Sequence, residues 1–158
     1  MIKIYPDGNM DDPAVEFDPY TPVTVTWPKY WQLLDTPLLV RFIDGDDLLE
    51  VKFHPGSGEL LEIVLVNAPA IHLVDDTFSP ETRPESVMVR VDPAAWARTH
   101  EFLRTYAFQD RLVVFLSRED SVRWYGIGGV LFGADSSGSL AALGISWGEQ
   151  DRQSVLSR

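Results

Sequence analysis

The chain reads as an α+β protein, mainly antiparallel β: a curved or partly barrel-like meander sheet with one main helix packed on it. Three observations predict this. Short apolar or alternating runs recur along the chain, separated by Gly, Pro, Asn and Asp. Two stretches, VKFHPGSGELLEIV at 51–64 and VLFGADSSGSLAAL at 130–143, resemble each other as hairpins. One segment, 93–107, carries apolar residues at helical spacing.

The elements follow in order. Residues 2–5 form a short β-like run ended by Pro6-Asp7-Gly8-Asn9, and an acidic, proline-containing stretch follows to Pro22. Residues 23–27 alternate Val and Thr, as a half-exposed strand does. Pro28 can open a short helix, because its fixed φ suits a first helical position, with Tyr30, Trp31, Leu33 and Leu34 as its apolar face. Residues 38–43 are a strand, ended by the turn Asp44-Gly45-Asp46-Asp47. Residues 48–54 put Leu49, Val51 and Phe53 on one face and Glu50, Lys52 and His54 on the other. Residues 59–67 are the third strand of this group, and 68–85 reads as a loop with one edge strand.

Residues 86–91 are again β-like. Asp92 fits an N-cap and Pro93 a first helical position, so 93–107 is expected to be the main helix, with Trp96, Leu103 and Tyr106 covering a sheet. Residues 111–116, 122–127, 130–134 and 140–147 return to β. The expectation is six to nine short strands in one domain over residues 1–158, with a polar, loosely held tail at 148–158. A split or partial barrel is the alternative.

The two similar hairpins share Val-x-Phe, a turn ending in Gly, one polar residue and Leu, and the second has one extra turn residue. Each follows an apolar run, 38–43 or 111–116, so a three-stranded meander used twice would explain them. The plainer explanation is that Phe-turn-Gly-x-Leu suits a tight hairpin, since glycine supplies positive φ.

Composition narrows function. Hydrophobic residues make up 45% and charged residues 23%, enough for a core. The net charge of −11 excludes the basic surface that nucleic acid demands and disfavours an anionic membrane. It suits a basic protein partner. Without cysteine there are no disulfides, thiolate metal sites or cysteine nucleophiles. No apolar run reaches the roughly 20 residues of a membrane span, and MIKIYPDGN has no signal-peptide core. The cytoplasm is the expected location.

Catalytic and cofactor motifs are missing. His54, His72 and His100 share no metal-ligand spacing. There is no G-x-S-x-G and no Walker A sequence, and Gly126-Ile127-Gly128-Gly129 has Leu131 where a dinucleotide loop needs its third glycine. Glu59 and Glu62 project from opposite strand faces and make no acid/base pair. No cofactor or metal is expected. The cluster Asp44, Asp46, Asp47 and Glu50 lacks the glycine and terminal glutamate of a calcium loop, and reads as a solvated turn.

Five tryptophans suit a core, and any that are exposed would be interface anchors. The neighbouring pairs Tyr30–Trp31 and Trp124–Tyr125 stand out, because adjacent aromatics on a regular strand face opposite ways. In overall character, the chain resembles immunity proteins of bacterial contact-dependent and polymorphic toxin systems, many of which are acidic single domains opposing basic nucleases. No residue motif carries the resemblance, so it transfers no site residues. It implies a non-enzymatic protein that neutralises a basic toxin. The acidic turns and the adjacent aromatics themselves, not the resemblance, direct the search for partner-binding residues to Asp44, Asp46, Asp47, Glu50, Tyr30, Trp31, Asp75 and Asp76. Two other readings are a small-molecule pocket lined by Phe53, Trp124 and Phe132, and a hydrolase with dispersed carboxylates. If a basic partner is gripped, the first half, with its acidic turn, is where to look.

Overall fold

Alternation of small β-branched and apolar side chains with Gly, Pro and Asp turns drives nearly half of this chain into strands. The computed structural model describes residues 2–92, 94 and 98–157. Among these residues the strands are β1 (Ile2–Tyr5), β2 (Ala14–Phe17), β3 (Val23–Thr26), β4 (Leu38–Asp44), β5 (Asp47–Phe53), β6 (Leu60–Asn67), β7 (His72–Leu73), β8 (Thr82–Arg83), β9 (Met88–Val91), β10 (Thr99–His100), β11 (Arg104–Ala107), β12 (Arg111–Phe115), β13 (Arg123–Ile127), β14 (Val130–Ala134) and β15 (Leu140–Ser146). A 3-10 turn occupies Pro28–Gln32, and one helix, α1, spans Glu149–Leu156.

The strands form three open sheets and no closed barrel. The first large sheet has the order β10-β4-β5-β6-β3-β2, the second β7-β11-β12-β15-β14-β13-β8, and β1 pairs with β9. Pairing is antiparallel except where the two-residue strands β7, β8 and β10 join an edge in parallel.

The two large sheets have the same topology. In each, three hairpin-connected strands (β4-β5-β6 and β13-β14-β15) are followed across the sheet by an earlier strand (β3 and β12), then by the strand before it (β2 and β11). This is a Greek key read twice. The opposite edges match too, since β10 joins β4 and β8 joins β13, both in parallel.

The join between the halves is reciprocal. Lys3 bridges Ser139 and Arg90 bridges Glu59, while the Ile4 N–H donates to Gly138 O (3.0 Å) and the Val91 N–H to Gly58 O (2.9 Å). β1 and β9 pair about the Lys3–Arg90 position, as around a two-fold axis. Each half also contributes short strands to the other's sheet.

The repeat is therefore real, but three sequence expectations about it are corrected. The apolar run 111–116 does not open the second meander; β12 lies beyond β15, as β3 lies beyond β6. Val51 faces Ile63 and Phe132 faces Leu143, so the true counterpart of Val51 is Phe132, two residues from the Val-x-Phe alignment. The extra turn residue belongs to the first hairpin, whose turn closes from His54 N–H to Glu59 O (2.8 Å), against Asp135 N–H to Ser139 O (3.0 Å) in the second. A two-residue slip keeps every side chain on its own face, which is why the sequence match survives the misalignment. Both hairpins also carry an irregularity at the matching place, Lys52/Phe53 and Gly133/Ala134.

The two turns carry their side chains alike. His54 Nδ1 accepts from the Gly56 and Ser57 N–H groups (3.0 and 3.2 Å), and Asp135 Oδ1 from those of Ser137 and Ser139 (2.9 and 3.0 Å). Burial acts to raise the Asp135 pKa, but the Ser137 hydroxyl, the Ser139 and Ser137 amides and the charge of Lys3 together hold it below its ordinary value. Each turn ends in a glycine at positive φ, Gly58 at 77° and Gly138 at 82°.

A side chain at Gly138 meets open space, whereas a Cβ at Gly58 would lie 2.5 Å from Val91 O. Gly138→Ala is expected to cost about 1 kcal/mol, the left-handed penalty alone. Gly58→Ala adds a backbone clash at the join of the halves and is expected to cost about 2 kcal/mol. Equal losses in denaturant melts would contradict the difference.

Inner-face residues of both large sheets belong to one apolar cluster, among them Val25, Phe53, Ile63, Val114, Phe132 and Leu143. Trp27 of the first half stacks on Phe132 of the second at 6.1 Å, and Phe17 meets Trp147 at 5.7 Å. Trp124 and Tyr125 are both buried, against expectation, because the second sheet is covered on both faces: Tyr125 enters the main cluster, and Trp124 a smaller one with Leu131 and Ala142.

The main helix expected over 93–107 is not found among the described residues. Thr99–His100 and Arg104–Ala107 are strands, while Pro93 and Trp96 lie outside the described residues. From Leu103 to Ala107 burial alternates, with Leu103, Thr105 and Ala107 inside. That period-2 pattern, with β-branched Thr105 at its centre, prevails over the three-residue spacing of Leu103 and Tyr106. The expected loose tail is instead α1, which buries Val155 in the main cluster. Its polar sequence hides it, although Glu149 and Asp151 suit the positive end of a helix dipole.

Candidate functional site

Because the halves repeat, each position in one can be compared with its counterpart in the other. A feature present in both serves the fold. A feature present in one alone is free to serve something else.

The outer faces of the two sheets differ in this way. On the second sheet Phe115, Gly133 and Ala142 lie side by side, and Phe78 from the segment after β7 packs over Trp124 at 5.2 Å. The Phe78 N–H is anchored on Asp110 Oδ1 at 2.8 Å. On the first sheet the counterparts are Thr26, Lys52 and Glu62. Glu62 accepts from Thr26 Oγ1 and from Lys52 Nζ, each at 2.9 Å, and is itself buried. Lys52 Nζ also lies 5.4 Å from the centre of the Tyr30 ring, on which Trp31 stacks at 5.5 Å. Burial pulls the Lys52 pKa down, but the hydrogen bond to Glu62 and its charge, helped by Tyr30, hold it above the ordinary lysine value. Lys52 is thus a fixed cation at neutral pH, unsuited to act as an amine nucleophile or base.

The connection before the middle hairpin differs as well. In the second half, Leu116 N–H binds Ala141 O (2.8 Å), and the six residues 117–122 lead to β13. In the first half the equivalent bond is Trp27 N–H to Leu61 O (2.9 Å), and ten residues, 28–37, lead to β4. The longer connection holds the 3-10 turn. It was expected to turn an apolar face inward; instead Trp31 is 76% and Leu34 99% exposed. A groove beside it is lined by Leu33, Leu34 and Asp35, with His54 and Glu59 also on its wall.

The predicted acidic cluster is divided. Asp44 pairs with Arg104, Glu50 with Arg41 Nε at 2.9 Å, and Asp47 is buried, accepting from the Ala70 N–H at 3.2 Å. Only Asp46 stands exposed without a side-chain partner among the described residues. Glu50 shares its sheet face with Lys52. Asp75 and Asp76 lie apart, beside the second sheet: Asp75 accepts from the Gln109 amide and Asp76 caps the Thr77 N–H at 2.7 Å. The histidines do not gather. His54 caps its turn, His72 stacks on Tyr106 and His100 on Phe42, where burial and then Arg98 lower the His100 pKa. Phe53 and Phe132 are fully buried in the shared cluster and line none of the grooves described.

Sequence reading missed the surface that the halves do not share. Between residues 2 and 73 there are twelve Asp and Glu but four Lys and Arg; between 88 and 157 there are eight and seven. All four cations of the first half are engaged: Lys29 by Glu59, Arg41 by Glu50, Lys52 by Glu62 and Lys3 by Ser137 O. Six carboxylates there, on Asp7, Asp11, Asp12, Glu16, Asp35 and Asp46, are exposed with no hydrogen bond or ion pair among the described residues. Counting charge by half would have found this. No helix among the described residues is long and apolar enough to cross a membrane. Compared with models of known protein families the chain matches none, and it matches no curated protein.

Proposed function

We propose that the protein is a non-catalytic binding domain whose first half grips a basic protein, in the manner of an immunity protein that neutralises a toxin. The observation that carries this reading is the set of six unpartnered, exposed carboxylates on a half with no unpartnered cation. Unsatisfied negative charge of this kind accelerates encounter with a positive surface and rejects like-charged ones. The paired state of Lys52 supports a binding role over a chemical one. The cytoplasm suits a protein of this composition.

The test uses the product of a gene adjacent to the one encoding this chain. That product is expected to carry net positive charge, to bind with an affinity that falls as salt rises, and to lose toxicity on co-expression. Replacing Asp11, Asp12, Asp35 and Asp46 by Asn is expected to slow association at least about tenfold at low salt, with little change in dissociation. Equal association by the variant, or no binding by any adjacent gene product, would sink the proposal.

A further inference from the structure

We infer that the 28–37 connection is the anchor of that interface, and that it receives an arginine-bearing segment of the partner with an aliphatic residue beside the arginine. The inference rests on the basic-partner reading and adds where and by what chemistry contact is made. The comparison between halves is its first support. A six-residue connection, polar but for Val122, closes the same sheet in the second half, so the fold requires neither the extra residues nor their aromatic and leucine side chains. Trp31 and Leu34 are nonetheless held in water, where large apolar side chains gain nothing from folding.

The local geometry selects the occupant. Lys52, Tyr30 and Trp31 lie in a row whose inner end is already a cation against a ring, 5.4 Å from the Tyr30 ring centre and 3.5 Å from its hydroxyl. Tyr30 covers one face of the Trp31 indole, and at 76% exposure the other face is open. A second cation fits that open face, and a guanidinium fits it better than an ammonium, because it is planar and more weakly hydrated. Asp35, exposed and unpartnered on the wall of the adjoining groove, offers a carboxylate to a basic side chain of the same segment, while Leu33 and Leu34 offer an apolar seat for its aliphatic neighbour. A second copy of this chain is the competing occupant. It would bring two first halves together, each with six unpartnered carboxylates, and charge opposes that.

The probe is a blocked Gly-Arg-Leu-Arg-Leu-Gly peptide, titrated into the intact protein at low salt and followed by the indole N–H resonance of Trp31, assigned from a Trp31→Phe variant. The arginine peptide is expected to shift that resonance and to bind severalfold more tightly than its lysine counterpart, with no binding by the glutamate counterpart. Trp31→Ala with Leu34→Ala is expected to weaken binding about tenfold and leave thermal unfolding unchanged, since both side chains are exposed. If the peptide binds but the double variant binds equally, the anchor is wrong while the basic-partner reading stands. If no peptide binds at low salt, the anchor is likewise overturned, and the carboxylate variant against the adjacent gene product judges the broader reading separately. Self-association that disappears in the double variant, seen by sedimentation, would replace the arginine segment with a second copy.

Discussion

Phe132→Ala is expected to destabilise the protein by about 3–5 kcal/mol, among the largest effects available to one substitution. Phe132 has no exposed surface and sits in the cluster shared by both sheets. Its ring stacks on Trp27, 29° from coplanar, so one truncation removes contacts that tie the first half to the second. The backbone of Trp27 is fixed by its N–H to Leu61 O, so only rotation of the indole, whose own N–H makes no hydrogen bond among the described residues, could fill the space. A cavity that stays open gives the upper end of the range, and one that the indole partly fills gives the lower end. For a chain of this length the loss corresponds to a fall in Tm of roughly 10 °C. The counterpart of Phe132 in the first half is Val51, also fully buried. Val51→Ala deletes far fewer atoms and serves as the control: its cost is expected to be less than half that of Phe132→Ala. Comparable melts for the two variants would mean that the core relaxes around position 132.

Most of the strands were legible because burial on one face imposes period-2 alternation, as in Leu49, Val51 and Phe53. The hairpins were legible because Gly58 and Gly138 mark positive φ. The repeat was visible, but its extent was not. Equivalent strands need only place apolar residues on the same face, so Val51 and Phe132, or Phe53 and Ala134, can occupy matching sites without resembling each other. The segment 99–107 misled for a different reason. Leu103, Tyr106 and Ala107 satisfy both a three-to-four spacing and a strand, and only pairing with Val113 and Val114 decides between them. Of the candidate site, Tyr30 and Trp31 could be singled out from sequence as a pair unlikely to face inward together. The ion pairs that withdraw Asp44 and Glu50 could not, since Arg104 is distant in sequence and Arg41 meets Glu50 only through the β4–β5 register.

Glu62 is the second position where one substitution should be severe, and it separates a structural role of the polar face from a binding one. Glu62→Ala leaves Lys52 as an uncompensated cation beneath Tyr30 and strands the buried Thr26 hydroxyl, at an expected cost of about 3 kcal/mol. Glu62→Gln keeps an acceptor for Thr26 and should cost about half as much. Replacing Glu62 and Lys52 together by Met removes both charges and is expected to be close to neutral, since a buried pair roughly breaks even against apolar side chains of similar volume. The second half already shows the uncharged solution at these positions, with Ala142 and Gly133 under an apolar cover. The pH dependence fixes the sign. The folded-state pKa of Lys52 is raised, so its stabilisation is fully present below the unfolded lysine value and is lost as pH rises through the folded one. Wild-type stability should therefore fall in strongly alkaline solution by an amount that the Met–Met variant does not lose. If that variant melts like the wild type at neutral pH yet loses partner binding, the pair is kept for the partner: it holds Tyr30, and through Tyr30 the exposed Trp31, in place. If it melts like the wild type and binds equally, the pair serves only to satisfy the polar groups of this sheet face, and the anchor must stand on Trp31 and Leu34 alone.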